Sequence, residues 1–174
     1  MSIGLNFRQL GPKDNLVIAS IIRQTFIEFN MPKKGTVYSD PTTNNLYKLF
    51  DKPDAEYWVV EKGGEVVGGC GVYPTAGLPE GCAELVKFYL SPLSRGRGIG
   101  IRLVNLVEER ARDLGYKKLY IESFPGFNQA VRMYEKSGFR YLNHSLGKSG
   151  HIACTIFMIK DLVITKKEDV LLPK

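Results

Sequence analysis

The sequence contains few of the residues that build metal centres and disulfide frameworks. It has three cysteines, Cys70, Cys82 and Cys154, which are widely spaced and include no CxxC pair. An odd number at such spacing predicts neither a disulfide framework nor a zinc site. The two histidines, His144 and His151, lie in a polar stretch, which favours a surface loop over a pair of metal ligands. We therefore predict a protein without a metal.

Long apolar segments are also lacking. The first residues, MSIGLNFRQLGPKD, contain no apolar core of the kind a signal peptide has. No later run approaches the roughly 20 apolar residues of a membrane-spanning helix. Together with unpaired cysteines, this pattern predicts a protein of the reducing cytoplasm with no membrane partner.

Long runs of one charge are absent as well, although the chain is basic. The formal net charge of +6 predicts either simple solubility or an anionic partner, such as nucleic acid or a phosphorylated cofactor. The surplus lies in the C-terminal region and in one glycine-rich stretch, at Lys160, Lys166, Lys167, Lys174, Arg95, Arg97 and Arg102. Because there is no basic run, nucleic acid is not predicted as a partner.

Hydrophobic periodicity divides the chain into alternating strands and helices. We predict strands over 5–10, 56–61, 66–73, 83–90, 117–122, 139–143 and 152–159. We predict helices over 14–29, 42–50, 99–114 and 127–137. Hairpins in the first half and one strand–helix–strand crossover predict an α/β (mixed α+β) fold, in which a mixed sheet has helices on both faces. At 174 residues the chain suits one domain, over 1–162, followed by a charged tail over 163–174.

The stretch SRGRGIGIR, residues 94–102, places three glycines before the clearest helix. The first N–H groups of a helix are unpaired and its N-terminus is partly positive, so glycines there let a phosphate approach the backbone. A flexible basic turn is the structural alternative. A P-loop, GxxxxGK[ST], is absent, and the dinucleotide fingerprint GxGxxG would need glycine at Ile101. The pattern present is Arg-x-x-Gly-x-Gly.

Three motifs in this order resemble the GNAT N-acetyltransferase superfamily. Residues 95–100, RGRGIG, match its acetyl-coenzyme A pyrophosphate motif, [QR]xxGx[GA]. Residues 84–92, ELVKFYLSP, resemble its fourth strand, and residues 128–139, NQAVRMYEKSGF, resemble its NxxAxxxYxxxGF segment. The resemblance covers residues 5–160 and implies the GNAT fold, with a mostly antiparallel sheet of six to seven strands and about four helices. It also implies an enzyme that moves acetyl from acetyl-CoA to a primary amine.

Most cofactor contacts that the resemblance implies are made by the backbone. N–H groups of residues 96–100 would hold the pyrophosphate, and the strand edge at 88–90 would pair with the pantetheine arm in a slot between the fourth and fifth strands. An N–H group near Phe88 would polarise the thioester carbonyl. Asn128 matches an asparagine that contacts the cofactor, and a helix cap near Phe127 is its compatible alternative role. The expected cofactor-binding residues are Phe88, Tyr89, Leu90, Arg95, Gly96, Arg97, Gly98, Ile99, Gly100 and Asn128.

Two residues are expected to carry the chemistry. Tyr134 matches the family tyrosine beside the coenzyme sulfur, where a phenol can protonate the leaving thiolate; a core tyrosine is the alternative. Glu84 lies on the predicted fourth strand, on one face with Val86, Phe88 and Leu90 if the strand alternates regularly. In such surroundings it could accept the proton of an ammonium substrate or anchor the amine. The alternatives are that Glu84 is only an exposed charge at a strand end, or that a water relay removes the proton of the amine. Glu122 is the second candidate for the base.

The acceptor is expected to meet the segments that vary in the family, including Tyr38, Asp40, Phe124, Phe127 and the loop HSLGKSGH. For Asp40 we favour helix capping over cation binding. The resemblance allows small amines, aminoglycosides, polyamines, lysines and protein N-termini, and it leaves monomer and homodimer open. Two further hypotheses are a non-catalytic acyl-CoA sensor and a nucleic-acid binder that uses the arginines of the glycine-rich stretch.

Overall fold

A computed structural model describes residues 4–162, and the predicted tail over 163–174 lies outside the described residues. The strands are β1 (Leu5–Gln9), β2 (Glu56–Lys62), β3 (Glu65–Tyr73), β4 (Cys82–Leu90), β5 (Lys118–Ser123), β6 (Arg140–Leu142) and β7 (Ile156–Asp161). The helices are α1 (Asn15–Glu28), α2 (Leu46–Leu49), α3 (Ile99–Asp113) and α4 (Asn128–Lys136). This architecture confirms the predicted mixed α/β fold.

The seven strands form one sheet in the order β1-β2-β3-β4-β5-β7-β6. Neighbouring strands are antiparallel except β4 and β5, which α3 connects and which are parallel, as a crossover connection requires. These two strands pair only from Cys82–Lys118 to Glu84–Tyr120. Beyond Glu84 they separate, so the middle of the sheet opens into a wedge.

Each face of the sheet carries its own core. One core packs α3 and α4 on the sheet through residues such as Leu103, Val107 and Tyr134. The other packs α1 and α2 on the opposite face through Ile22 and Phe26. No helix within residues 4–162 is long and apolar enough to cross a bilayer.

The second predicted helix and the last predicted strand are shorter in the structure. Residues 42–50 divide into a 3-10 turn, Pro41–Asn44, and α2, because Asn45 has a non-helical backbone and caps α2 by accepting a hydrogen bond from the N–H of Lys48. The strand predicted from Ile152 begins at Ile156. Residues 144–155 instead form a loop that folds back over the wedge, with its Cys154 and His151 facing the opening.

Candidate active site

The wedge between β4 and β5 is the mouth of a cavity of about 490 Å³. It brings together the three motifs, which lie within residues 84–139 of the sequence. Of the predicted site residues, those that line it are Glu84, Phe88, Tyr89, Leu90, Arg95, Gly96, Gly98, Gly100, Asn128 and Tyr134. The side chain of Arg97 is exposed and that of Ile99 is buried in the core, and neither lines the cavity.

Gly98 leaves the backbone N–H groups accessible at the α3 end of the cavity. It occupies the N-cap position of α3 with φ 73°, a left-handed conformation that glycine adopts without strain. Because glycine has no side chain to cap the helix, the N–H groups of the first turn are left for a ligand. A Cβ atom at Gly98 would point into open space. The turn therefore offers partly positive backbone N–H groups on an accessible surface, as an anion site requires.

Gly100 is required for a close approach between α3 and β4. A Cβ atom there would lie 3.0 Å from Cζ of Phe88 and 3.4 Å from Cδ1 of Leu90. The absence of a side chain lets α3 begin directly over the strand. This contact places the first turn of the helix beside the open edge of β4.

Arg95 ties the glycine-rich turn to α1. Its guanidinium donates hydrogen bonds to the carbonyl oxygen of Leu90 at 3.0 Å and to Oε1 of Glu28 at 2.8 Å. It also stacks over the ring of Phe29. Arg95 thus lines the cavity, but most of its N–H groups already form hydrogen bonds within the protein. Its main contribution in this structure is to hold the turn in place.

A β-bulge interrupts β4 at Lys87. Its φ is 51°, and the register with β3 shifts between Gly69–Tyr89 and Gly71–Val86. The bulge breaks the alternation expected from the sequence: Phe88 and Leu90 pack with the core of α3 and α4, whereas Val86 packs with the other core. The expectation that Glu84, Val86, Phe88 and Leu90 share one face was therefore wrong, because a bulge adds one residue to the period.

Tyr134 on α4 lies at the inner end of the wedge. Its ring packs against Phe88 at 6.2 Å between centroids and against Phe139 at 5.7 Å. Its hydroxyl has no hydrogen-bond partner among the residues that the structure describes. Burial raises the pKa of this hydroxyl well above its ordinary value, so the group stays protonated. Tyr134 is thus a core residue whose protonated hydroxyl group lines the cavity.

Asn128 is the first residue of α4, and the N-cap position belongs to Phe127. No side-chain hydrogen bond caps this helix end, so the capping role suggested for Asn128 was wrong. Its exposed amide lines the cavity beside the glycine-rich turn.

Glu84 lies where β4 and β5 part, with 5% of its surface exposed. The alternative of an exposed strand-end charge was therefore wrong. The hydroxyl of Thr75 donates a hydrogen bond to its carboxyl group. Burial, with a smaller contribution from the charge of Glu122, raises the pKa of Glu84 to about 7, while Thr75 and Lys87 act in the opposite direction. A carboxyl group with such a pKa can take up and release a proton near neutral pH.

Glu122 on β5 lines the same end of the cavity. It accepts hydrogen bonds from the hydroxyl of Tyr120 at 2.9 Å and from that of Ser149 at 2.6 Å. Its oxygen atoms are thus held by neighbouring side chains, whereas Glu84 has one such partner. This difference favours Glu84 over Glu122 as the group that exchanges a proton with a substrate.

Sequence reasoning missed two residues at this end of the cavity, Lys87 and Cys154, whereas His151 belongs to the loop HSLGKSGH that was expected to meet the acceptor. His151 lies in a loop, as expected, with its side chain half-buried and its Nε2 3.1 Å from Oδ2 of Asp40. Asp40 also caps the following turn, as predicted, by accepting a hydrogen bond from the N–H of Thr42. Within residues 4–162 no group of His, Cys, Asp and Glu side chains is arranged to hold a metal ion.

Comparison with known proteins agrees with this geometry. A sequence profile described as "Acetyltransferase (GNAT) family" matches residues 22–139. The chain is 38% identical over 156 residues to the uncharacterized N-acetyltransferase YjgM of Escherichia coli, covering 89% of this chain and 93% of that protein. The IAA acetyltransferase of Azospirillum brasilense is 36% identical over 124 residues, which are 69% of this chain and 78% of that protein.

Solved structures share the fold at low sequence identity. A GNAT-family acetyltransferase from Staphylococcus aureus superposes with a TM-score of 0.79 at 17% identity, covering 92% of this chain and 100% of that one. YncA of Salmonella typhimurium, solved with its cofactor acetyl-CoA, gives a TM-score of 0.73 at 17% identity, with 95% and 98% covered. These likenesses confirm the predicted fold, and the match of the family profile to most of the chain establishes that this protein belongs to the GNAT acetyltransferase family.

Proposed function

We propose that this protein transfers an acetyl group from acetyl-CoA to a primary amine by direct attack in a ternary complex. The observation that carries the proposal is the wedge itself. A helix start without a side-chain cap lies at one end of it, an unpaired strand edge runs along it, and a buried carboxyl group lies at the other end. One extended ligand with a pyrophosphate, an amide-rich arm and a thioester would meet all three features in this order.

The turn and the strand edge fit coenzyme A. Gly98 leaves open space beside the first N–H groups of α3, where a pyrophosphate would accept hydrogen bonds. The backbone at Phe88, Tyr89 and Leu90 has no partner strand on the β5 side, so it can pair with the amide groups of pantetheine. The exposed amide of Asn128 would add a contact near the arm. YncA is described with acetyl-CoA as its cofactor, which supports the same ligand here.

Glu84 is the proposed general base. A primary amine reaches the site mainly as ammonium and must lose a proton before its lone pair can attack. Glu84 takes that proton and later releases it to solvent. The nitrogen–carbon bond forms as the carbon–sulfur bond breaks, and backbone N–H groups near Phe88 stabilise the charge that develops on the carbonyl oxygen.

Tyr134 is the proposed general acid. Its protonated hydroxyl would give a proton to the departing thiolate. The second proton that the nitrogen loses on becoming an amide would pass to solvent and replace the one that Tyr134 gave, so one proton, that of the ammonium, is released overall. The cysteines take no part. Burial raises the pKa of Cys154, the cysteine that lines the cavity, to about 12, which disfavours a thiolate nucleophile.

We also propose that residues 1–162 act as one catalytic domain and that the protein works in the reducing cytoplasm. In support, the described strands belong to a single sheet. The three cysteines are free thiols.

The proposal is tested by measuring thiol release from acetyl-CoA across a panel of amines, with the acetylated product identified by mass spectrometry. We expect at least one class of primary amine to release coenzyme A with formation of an equal amount of N-acetyl product. Tight binding of acetyl-CoA without turnover on a broad panel would instead favour a sensor. Salt-dependent nucleic-acid binding that coenzyme A does not displace would favour the third hypothesis.

Substituting Tyr134→Phe should lower kcat by about a hundredfold to ten-thousandfold, because it removes the donor to the thiolate and keeps the ring contacts with Phe88. The dissociation constant of coenzyme A, measured by calorimetry, should change by less than about threefold. Tyr116→Phe is the matched control, since that hydroxyl donates to the carbonyl oxygen of Asp54 away from the cavity. Equal kcat values in wild type and Tyr134→Phe would remove Tyr134 from the mechanism.

A further inference from the structure

The bulge in β4 brings one buried cation to the acceptor end of the cavity. Regular alternation would direct Lys87 to the same face as Leu85, which packs with α3 and α4. In the structure its ammonium instead lies 3.7 Å from Oδ2 of Asp40, on the other face. The bulged strand has thus turned a charged side chain toward the space next to Glu84.

The protein offers this ammonium group one carboxylate at close range, that of Asp40. The Lys87 side chain is 6% exposed, and its distance to Asp40 exceeds that of an N–H···O hydrogen bond. Asp40 is already committed: Oδ1 accepts hydrogen bonds from the N–H and hydroxyl of Thr42, and Oδ2 lies 3.1 Å from His151. An ammonium group has three donors, and since no side-chain nitrogen among the described residues is both fully buried and unpaired, Nζ of Lys87 opens onto the cavity. Its remaining donors therefore suit a ligand.

The charge pattern around Lys87 distinguishes the two ends of the cavity. The pyrophosphate end is built from α3 and Arg95, so coenzyme A does not need Lys87 for its phosphates. At the acceptor end, Lys87 stands beside Glu84, and both line the cavity. Burial lowers the pKa of Lys87, while the negative charges of Asp40 and Glu84 oppose that change; a bound anionic group would oppose it further.

We propose that Lys87 determines acceptor specificity by binding an anionic group of the amine substrate, so that the acceptor class is the amino acids and their carboxylate-bearing derivatives. The inference rests on the proposed acetyl transfer. The amine of such a molecule would face Glu84, and its carboxylate would accept a hydrogen bond from the Lys87 ammonium. An acceptor without an anionic group, such as an amino-acid amide or a polyamine, would give the Lys87 ammonium no charged hydrogen-bond acceptor and would be a poorer substrate.

The test compares acceptors that differ only in the charge of the carboxylate. L-methionine is paired with L-methioninamide, and L-phenylalanine with L-phenylalaninamide, with kcat/KM expressed per concentration of unprotonated amine. For the wild-type protein we expect the acid of each pair to be preferred by about tenfold to a hundredfold, the usual worth of a hydrogen bond between charged groups. In Lys87→Met this ratio should fall to near one.

Two controls separate specificity from folding. Lys13→Met, which removes an exposed ammonium from a residue that does not line the cavity, should keep the wild-type ratio. The dissociation constant of coenzyme A should be the same in Lys87→Met and wild type. A purely structural defect would weaken coenzyme A binding or slow both acceptor reactions, and would not change the acid-to-amide ratio alone.

The outcomes distinguish the two proposals. Acetylation of amides or polyamines with no preference for the acid would overturn the role of Lys87 and leave acetyl transfer standing. The same holds if the preference persists in Lys87→Met. If neither acids nor amides nor any other amine is acetylated while acetyl-CoA binds, the proposed function itself falls, and the acceptor class falls with it.

Discussion

Replacing Gly98 with glutamate should weaken the binding of coenzyme A by about thirtyfold to a thousandfold. A carboxylate there would lie against the pyrophosphate, and two like charges about 4 Å apart near a protein surface repel by ~4 kcal/mol. The left-handed backbone of Gly98 adds strain for any other residue, on the order of 1 kcal/mol. Isothermal titration calorimetry with coenzyme A measures the effect without requiring turnover.

Gly115→Glu is a closely matched control for this substitution. Gly115 follows the C-terminal end of the same helix, has φ 90°, and likewise has open space where a Cβ atom would lie. Both variants therefore gain a carboxylate and similar backbone strain at one end of α3, yet only Gly98 lies in the cavity. Equal losses of affinity in the two variants would attribute the effect to strain, and unchanged affinity in Gly98→Glu would remove the pyrophosphate from this turn.

Substituting Glu84→Gln should lower kcat/KM at pH 8 by about a hundredfold to ten-thousandfold, the usual contribution of a general base. The wild-type rate should rise with pH through a limb at about pH 7, because Glu84 must lose its proton to act and burial raises its pKa to that value. In Glu84→Gln this limb should disappear. A pH–rate profile for wild type and variant, measured with one amine acceptor, provides both results.

The free energy of unfolding gives an independent check on Glu84. At pH 8 the substitution Glu84→Gln should lower activity without lowering stability. Its pKa is raised in the folded state, from about 4.5 to about 7, so the folded protein holds this proton more tightly than the unfolded chain. The contribution of Glu84 to the free energy of unfolding is full below about pH 4.5 and decreases by about 3 kcal/mol as the pH rises past 7. At pH 8 the Glu84→Gln variant should be at least as stable as wild type in urea unfolding.

Glu122→Gln serves as the comparison for the base. Glu122 lines the same end of the cavity, but its oxygen atoms accept hydrogen bonds from Tyr120 and Ser149. We expect this variant to retain the limb at pH 7. If instead the limb disappears in Glu122→Gln and persists in Glu84→Gln, the base is Glu122.

Local patterns were sufficient to predict most of the fold. Period-two spacing located each strand of the described sheet, and helical spacing located the four helices that cover its two faces. Both patterns are visible because those segments bury one face in a regular repeat. The glycines at 96, 98 and 100 also predicted an accessible helix start. Such features depend on residues close together in the chain, and no long-range contact is needed to recognise them.

The acceptor end of the cavity could not be predicted in the same way. The bulge at Lys87 has no local signal, since lysine seldom adopts a positive φ and the sequence ELVKFYL reads as a regular strand. One inserted residue moved Phe88 and Leu90 to the other face and brought Lys87 beside Asp40. The approach of His151 to Asp40 joins residues 111 positions apart, so it depends on tertiary packing alone.

Direct transfer in a ternary complex is tested most directly by a single-turnover experiment. The protein is mixed with a slight deficit of acetyl-CoA, first without and then with an accepted amine, and free coenzyme A, N-acetyl product and the intact mass of the protein are followed together. The proposed mechanism predicts no coenzyme A release and no acetylated protein until the amine is added, after which coenzyme A and N-acetyl amine form at one rate. A burst of coenzyme A with an acetylated protein before the amine is added would contradict it.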